Sequence, residues 1–161
     1  MNDEKIMIFS AFSVSGIVYI DALPTNTTFN STYMCNHILP ELTAKAKESA
    51  AKKTKHSLIL HFDNAKPHTS KMTTQKISEL HWKKLDQPPY SPDISPNDFF
   101  LYGYIKSKLP DYHPLSRYDL FNAIKEICEK IESNIWEDVY ISWLKRLQAV
   151  YDSDCEYLIS Y

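Results

Sequence analysis

The feature that most constrains the fold of this chain is a short, largely apolar run from Ser57 to Phe62, which stops at Asp63. Such a run is typical of a strand that is buried in the interior of a sheet. The sequence after it predicts a helix over Thr69–Leu80 and a second strand over Trp82–Leu85. A strand, a helix and a strand in this order indicate a parallel crossover, and therefore an α/β fold.

The beginning of the chain predicts an antiparallel hairpin. Ile6–Phe12 and Ile17–Ile20 have the apolar, β-rich composition of strands, and a polar turn at Ser13–Gly16 separates them. Pro24 is expected to close the second strand. Because the chain contains no internal repeat and no linker, residues 1–161 are predicted to form one domain of mixed α/β type.

A helix is predicted directly after the hairpin. Asn30 or Ser31 can cap it, and its apolar positions continue to Ala46. Pro40 lies inside this pattern and has no backbone N–H to donate. We therefore expect the helix to be bent or divided at Pro40.

The second half of the chain contains a proline-rich segment followed by helices. Gln87–Asn97 includes four prolines and is predicted to be a stiff loop without regular structure. A helix is predicted from near Asp98 towards Leu109, another after a capping box at Ser116–Asp119, and a last one from near Trp136. The apolar positions predicted to pack these last two helices are Leu120, Ile124, Ile127, Ile131, Trp143, Leu144, Leu147 and Val150.

Composition excludes several classes of site. The only glycines are Gly16 and Gly103, so the chain has neither a P-loop nor a dinucleotide-binding glycine motif. The three cysteines, Cys35, Cys128 and Cys155, are far apart and form no C-x-x-C pair. This pattern favours free thiols in a reducing compartment over a structural zinc site.

Charge is distributed unevenly along the chain, although the net charge is only −2. Lys45–Lys84 contains ten lysines and three acidic residues, whereas Leu85–Tyr161 contains seven basic and thirteen acidic residues. A basic middle region can mark a surface that contacts phosphates. A solvated, lysine-rich helix explains the same pattern equally well.

Two aspartates occupy positions where functional groups are common. Asp63 lies where the predicted buried strand ends, and Asp98 follows the proline-rich loop and opens a helix. Each also has a structural explanation as a cap or as an acidic residue near a helix N-terminus. A zinc site formed by Asp63 with His61 and His68 is a further alternative, but nothing else in the chain supports it.

The sequences around both aspartates resemble a known family. HFDNAKPH at His61–His68 resembles the hDNArpH signature of Tc1/mariner transposases, and PYSPDISPNDFFLYG at Pro89–Gly103 resembles their PYSPDLsPsDffLfg signature. Thirty-four residues lie between Asp63 and Asp98, which is the spacing between the family's second and third catalytic carboxylates. Aspartate at the third position resembles the mariner side of the superfamily. Further segments that resemble the family are Lys5–Asp21, Trp143–Leu147 and Glu156–Tyr157.

The resemblance implies an RNase H-like fold in which three carboxylates bind two Mg²⁺ or Mn²⁺ ions. Asp63 would ligate or bridge both ions, and Asp98 would ligate one. By the same resemblance, Asn64 and His68 would orient Asp63 or contact phosphate. Turn formation or helix capping by Asn64 and local packing by His68 are equally good explanations of these two residues.

The implied reaction is metal-dependent DNA strand cleavage and transfer, with transposon ends and target DNA as partners. Lys66 and Lys71 would contribute weak nucleic-acid contacts, and the chain could pair with itself or with an intact transposase. The alternative functions are a catalytically dead remnant that binds nucleic acid or transposase, and a decayed fragment without a present function.

One part of the family pattern is not matched. The family's first catalytic aspartate precedes the segment matched by Lys5–Phe12, and none of Asp3, Glu4 and Asp21 occupies its position. No helix-turn-helix region is matched either. We therefore expect a chain that is truncated at its N-terminus, lacks the central first strand and is inactive alone. Strand edges left without that partner would cost about 1–3 kcal/mol for each buried, unpaired backbone group.

Location is predicted from what the sequence lacks. Met1–Glu4 is acidic where a signal peptide would be basic, and no apolar run approaches the length of a membrane span. These features predict an intracellular protein. The resemblance implies a nuclear location if the host is eukaryotic.

Overall fold

A computed structural model of the chain describes residues 6–50, 59–112 and 116–152, with residues 49 and 50 described in their backbone only. The chain divides into two compact units. Met1–Ala22 and Ser91–Tyr161 form the first unit, and Leu23–Tyr90 forms the second unit. The single domain predicted over residues 1–161 stays a prediction.

The predicted hairpin is confirmed. Strands β1 (Ile8–Ser13) and β2 (Gly16–Ala22) pair antiparallel, from Ile8 opposite Ala22 to Ser13 opposite Gly16. Gly16 has φ +115°, a conformation that other residues rarely adopt. A Cβ atom at this position would lie 3.4 Å from Nε1 of Trp136, so the turn also packs closely against a tryptophan.

The first helix of the second unit is present, and its hydrogen bonding changes along its length. It consists of α1 (Ser31–Tyr33), a π-helical segment (Met34–Ile38) and α2 (Leu39–Ala50). The side chain of Asn30 caps α1 by accepting a hydrogen bond from the backbone N–H of Tyr33 at 2.9 Å. The change from π to α geometry lies one residue before Pro40, which cannot donate a helical hydrogen bond. The helical residues run without a break from Ser31 to Ala50, so the helix is not divided at Pro40, and the predicted bend stays a prediction.

The predicted parallel crossover is also confirmed. Strands β3 (Ile59–His61) and β4 (Lys83–Leu85) pair in parallel, with Ile59 opposite Lys83. Helices α3 (Lys66–Thr69) and α4 (Lys71–Glu79) connect them. Residues 57 and 58 of the predicted strand lie outside the described residues.

The prediction of one continuous helix over Thr69–Leu80 is wrong at its start. Ser70 has an extended backbone, with ψ 151°, and interrupts the helical path. Its hydroxyl accepts a hydrogen bond from the backbone N–H of Thr73 at 3.1 Å and so caps α4. Thr73 is fully buried and donates its hydroxyl proton to the carbonyl of Pro67, which links α4 to α3.

The proline-rich segment contains more regular structure than predicted. Pro92–Ile94 forms a 3₁₀ turn, and a π-helical segment begins at Asn97 and continues to Leu101. The prediction of a loop over Gln87–Asn97 without regular structure is therefore wrong at these two places. Proline suits the first position of a helical turn because its φ is already helical and no N–H is needed there.

The helices that follow agree closely with the sequence pattern. They are α5 (Tyr102–Lys108), a 3₁₀ turn (Leu109–Tyr112), α6 (Arg117–Glu129) and α7 (Ser133–Asp152), the last starting three residues before the predicted Trp136. Ser116 caps α6: its hydroxyl accepts from the N–H of Asp119 at 3.1 Å and donates to Oδ2 of Asp119 at 2.7 Å.

The core of the first unit joins these helices to the hairpin. Its buried members are Leu101, Ile105, Ile124, Ile127, Cys128, Ile131 and Trp136, against which Phe12, Ile17 and Ile20 of the hairpin pack. Leu144 of α7 was predicted to pack in the interior and is instead 45% exposed. Both helices still contribute buried apolar side chains, through the aliphatic face of α6 and through Trp136 and Val139 of α7.

Two smaller findings concern cysteines and membranes. Cys35 and Cys128 are buried free thiols, and Cys155 lies outside the described residues. Burial, with a smaller contribution from Glu129, raises the pKa of the Cys128 thiol to about 11, so it stays protonated and inert near neutral pH. None of the helices in the described part of the chain is both long enough and apolar enough to cross a membrane.

Substitution of Ile127 by valine tests the core of the first unit. Ile127 is only 2% exposed, so Ile127→Val is expected to lower the free energy of unfolding by about 0.5–1.5 kcal/mol through loss of one buried methylene. Urea denaturation measures this change. The matched control is Ile141→Val, at a position 49% exposed, and an equal loss in both variants would contradict the assigned core.

Candidate metal centre

Asp63 lies immediately beyond β3, separated from it only by Phe62. Its Oδ1 atom lies 2.6 Å from Nδ1 of His68 and accepts a hydrogen bond from the N–H of Ala65 at 3.1 Å. Its Oδ2 atom makes no hydrogen bond within the part of the chain that the structure describes. The carboxylate is therefore fixed through one oxygen, while the other is available to a further ligand.

His68 is fixed by packing as well as by its bond to Asp63. Its ring stacks on Phe62, with centroids 4.8 Å apart, and meets the edge of Phe29 at 5.4 Å. The side chain of His68 is 12% exposed, whereas that of Asp63 is 50% exposed. A partly buried ring between two phenylalanines can therefore orient a carboxylate that itself faces solvent.

The electrostatics of the site favour an ionised Asp63. The hydrogen bond from His68 is the largest influence and lowers the pKa of Asp63, against the opposing effect of partial burial. Burial lowers the pKa of His61, and the nearby charge of Asp63 opposes this shift only in part. Asp63 is therefore an anion at neutral pH, which is the state that binds a cation.

Asn64 lies at the bend between β3 and α3, and its side chain does not cap α3. Its Nδ2 atom donates a hydrogen bond to the backbone carbonyl of Gln87 at 2.8 Å. The local turn is formed by Asp63 itself, through its bond to the N–H of Ala65. Asn64 thus connects the segment that carries Asp63 to the first residue of the proline-rich loop.

Asp98 lies at the other end of that loop, in the other unit of the chain. It is exposed in the first turn of the π-helical segment Asn97–Leu101, and its backbone N–H donates to the carbonyl of Ser95 at 2.9 Å. Its carboxylate makes no hydrogen bond or ion pair with any residue that the structure describes. The preceding Asn97 accepts a hydrogen bond at Oδ1 from Ser10 of β1 at 3.2 Å.

The donor atoms suit a hard cation better than zinc. Oδ2 of Asp63 and the carboxylate of Asp98 have no hydrogen-bond partner among the described residues, and carboxylate oxygens are the ligands that Mg²⁺ and Mn²⁺ prefer. Within the described ranges, no three histidine, cysteine or acidic side chains form a group that could bind a metal ion. The zinc alternative with His61, Asp63 and His68 therefore has no geometric support, since Nδ1 of His68 already faces Asp63.

The two lysines predicted to contact nucleic acid both open helices. Lys66 is the first residue of α3 and Lys71 is the first residue of α4, and both are exposed. Neither forms an ion pair within the described residues. Both therefore present an unpaired positive charge at the start of a helix.

Comparisons with known proteins were made by family, by sequence and by structure. No family model matches the chain. Mariner Mos1 transposase of Drosophila mauritiana is 27% identical over 124 residues, which are 76% of this chain and 35% of that protein. Histone-lysine N-methyltransferase SETMAR of Homo sapiens is 26% identical over 159 residues, which are 98% of this chain and 23% of that protein.

The fold agrees with the sequence relationship. The crystal structure of the catalytic domain of Mos1 mariner transposase matches with a TM-score of 0.85 at 22% identity, over 98% of this chain and 78% of that one. The chain is thus similar in sequence and in fold to the catalytic domain of a Tc1/mariner transposase. The Mos1 mariner paired end complex with Mn matches with a TM-score of 0.84 at 21% identity, over 95% of this chain and 45% of that one. The predicted RNase H-like α/β fold is confirmed, and the missing first strand stays a prediction.

The chain spans about a third of the length of the Mos1 transposase and about a quarter of the length of SETMAR.

Substitution of His68 by phenylalanine tests the Asp63–His68 bond. His68→Phe keeps a ring between Phe62 and Phe29 but removes the hydrogen bond, so the pKa of Asp63 is expected to rise towards its ordinary value of 3.8. A carboxyl-carbon NMR titration of the metal-free chain measures the shift, with His37→Phe as the matched control on the exposed side of the same unit.

The same shift has a consequence for stability. Because the pKa of Asp63 is lowered in the folded state, ionised Asp63 adds to the free energy of unfolding above pH 3.8. This added stability is lost as the pH falls through the lower pKa of the folded state. In His68→Phe the acid-induced decrease in the free energy of unfolding should therefore be smaller. An unchanged titration of Asp63 in His68→Phe would contradict the assigned hydrogen bond.

Proposed function

We propose that this chain contributes two metal-binding carboxylates, Asp63 and Asp98, to a divalent-metal-dependent site for DNA strand cleavage and transfer. The observation that carries the proposal is the carboxylate of Asp63, which His68 fixes through Oδ1 while Oδ2 has no hydrogen-bond partner among the described residues. Asp98 supports it, because its exposed carboxylate is likewise unpartnered within the described ranges.

Known structures support the choice of metal. Structures of the Mos1 transposase catalytic domain and Raltegravir with Mg and with Mn match this chain with TM-scores of 0.83 at 22% identity. Held by Asp63 and Asp98, such ions would polarise a phosphodiester and activate the attacking hydroxyl group. The oxygen donors of Asp63 and Asp98 have the chemistry that these ions require.

The neighbouring residues of the chain have defined tasks in this proposal. His68 donates to Asp63 from a ring fixed by two phenylalanines, so the carboxylate stays ionised and keeps one orientation. Asn64 fixes the carbonyl of Gln87 and so limits movement of the segment directly after Asp63. Together the two contacts hold the Asp63 carboxylate and the backbone that follows it in place.

DNA is the proposed partner. Structures titled as Mos1 paired-end complexes, one with a left transposon end, support a nucleic-acid substrate for the family. Lys66 and Lys71, exposed at the starts of α3 and α4, are the proposed phosphate contacts. A nuclear location in a eukaryotic host, and pairing with a second copy or an intact transposase, belong to the same proposal.

Metal titration tests the carboxylates. Calorimetric titration of Mn²⁺ into the chain is expected to show binding that Asp63→Asn and Asp98→Asn each weaken by about 10-fold or more, since a charge-assisted contact contributes about 1.5–3 kcal/mol. Asp138→Asn is the matched control, because Asp138 is an exposed aspartate of α7. Equal affinity in all four proteins, or no binding by a folded wild-type chain, would contradict the proposal.

Salt-dependent DNA binding tests the lysines. The double variant Lys66→Gln/Lys71→Gln is expected to bind duplex DNA more weakly, with the slope of log affinity against log salt reduced by about 1 per lysine. The matched control removes Lys125 and Lys130, which pair with Glu129 and Glu126 on α6. Equal slopes in both double variants would exclude Lys66 and Lys71 as phosphate contacts.

A further inference from the structure

Helix α7 fixes the 3₁₀ turn that precedes Asp98. Nε1 of Trp143 donates to the carbonyl of Ile94 at 3.0 Å, and Nη1 of Arg146 donates to the carbonyl of Asp93 at 2.9 Å. Ile94 itself is 1% exposed, so the turn is anchored by burial as well as by two hydrogen bonds. These donors satisfy two adjacent carbonyls of a segment whose prolines reduce its own supply of N–H groups.

Arg146 also contacts the chain on the other side of Asp98. Its guanidinium carbon lies 4.4 Å from the centroid of the Phe99 ring, and its Nε atom lies 3.4 Å from the hydroxyl of Ser142. A guanidinium at this distance from an aromatic face is stabilised by a cation–π interaction. Arg146 thus bridges Asp93, before Asp98, and Phe99, directly after it.

The backbone between these two contacts is short and constrained. The N–H groups of Asp98 and Phe99 both donate to the carbonyl of Ser95, at 2.9 and 3.0 Å. Pro96 restricts φ within this turn, and Ser10 binds the side chain of Asn97 from β1. Displacement of the 3₁₀ turn would therefore move the backbone of Asp98 with it.

We propose that Arg146 and Trp143 are positioning residues that set the orientation of the Asp98 carboxylate for metal binding. They do not touch the carboxylate and act through residues 93–99. This inference rests on the proposed function of Asp98 as a metal ligand. The planar guanidinium of Arg146 donates to the carbonyl of Asp93 and at the same time lies over the Phe99 ring. The compact ammonium group of a lysine cannot make both contacts at once.

The conservative variant Arg146→Lys separates positioning from simple charge. It keeps the positive charge and most of the aliphatic stem, so the midpoint of urea unfolding is expected to change little. Its Mn²⁺ affinity is expected to fall by about 10-fold, the lower end of the range for residues that orient metal ligands. Lys145→Gln, which removes a neighbouring exposed charge, is expected to leave the affinity unchanged.

Amide hydrogen exchange of the metal-free chain provides a readout that does not depend on metal. Arg146→Lys and Trp143→Phe are expected to speed exchange at the N–H groups of Asp98 and Phe99 by about 10-fold, while Ile124 and Ile127 of α6 keep their rates. Combining Arg146→Lys with Asp98→Asn should then cause no further loss of Mn²⁺ affinity beyond Asp98→Asn alone.

The outcomes distinguish this inference from the proposed function. If wild-type chain binds Mn²⁺ through Asp98 and Arg146→Lys alters neither affinity nor exchange, the positioning role is overturned. Loss of stability throughout the unit, with α6 exchange rising equally, would also overturn it in favour of a general packing role. If wild-type chain shows no Asp98-dependent binding, the proposed function fails, and the exchange rates still decide whether Arg146 fixes this segment.

Discussion

Much of this structure depends on how a proline-rich segment is fixed by side chains from elsewhere. Gln87–Asn97 contains four prolines, so it lacks the N–H groups needed to form regular structure over its length. Donors from other elements bind its carbonyls instead. Asn64 binds the carbonyl of Gln87, and α7 binds those of Asp93 and Ile94 through Arg146 and Trp143.

The residues that bind the loop, or are bound within it, lie close in sequence to the two carboxylates. Asn64 is the immediate neighbour of Asp63, and the residues bound by α7 precede Asp98 by only a few positions. Each carboxylate is thus attached to backbone that is fixed within its own unit. Asp63 has an additional constraint in its bond to the partly buried ring of His68, whereas Asp98 depends on its backbone alone. This difference explains why the contacts of α7 matter for Asp98.

Local patterns were sufficient to predict the hairpin, the parallel crossover and the cap at Ser116, because each depends on neighbouring residues. The break at Ser70 was missed, although serine three residues before Thr73 is a recognisable cap signal inside an apparent helix. The hydrogen bonds of Trp143 and Arg146 join residues about fifty positions apart, and no periodicity reveals them. Trp143 was assigned only to packing, because its apolar spacing hides its use as a donor.

The resemblance of two sequence motifs identified the carboxylates, and the structure adds how their surroundings are arranged. Anomalous diffraction from crystals of the chain grown with Mn²⁺ tests the central claim most directly. The account predicts Mn²⁺ at bonding distance from Oδ2 of Asp63, with Oδ1 still bound to His68, and Mn²⁺ ligated by Asp98. Manganese bound elsewhere, with both aspartates free of metal in an ordered crystal, would contradict it.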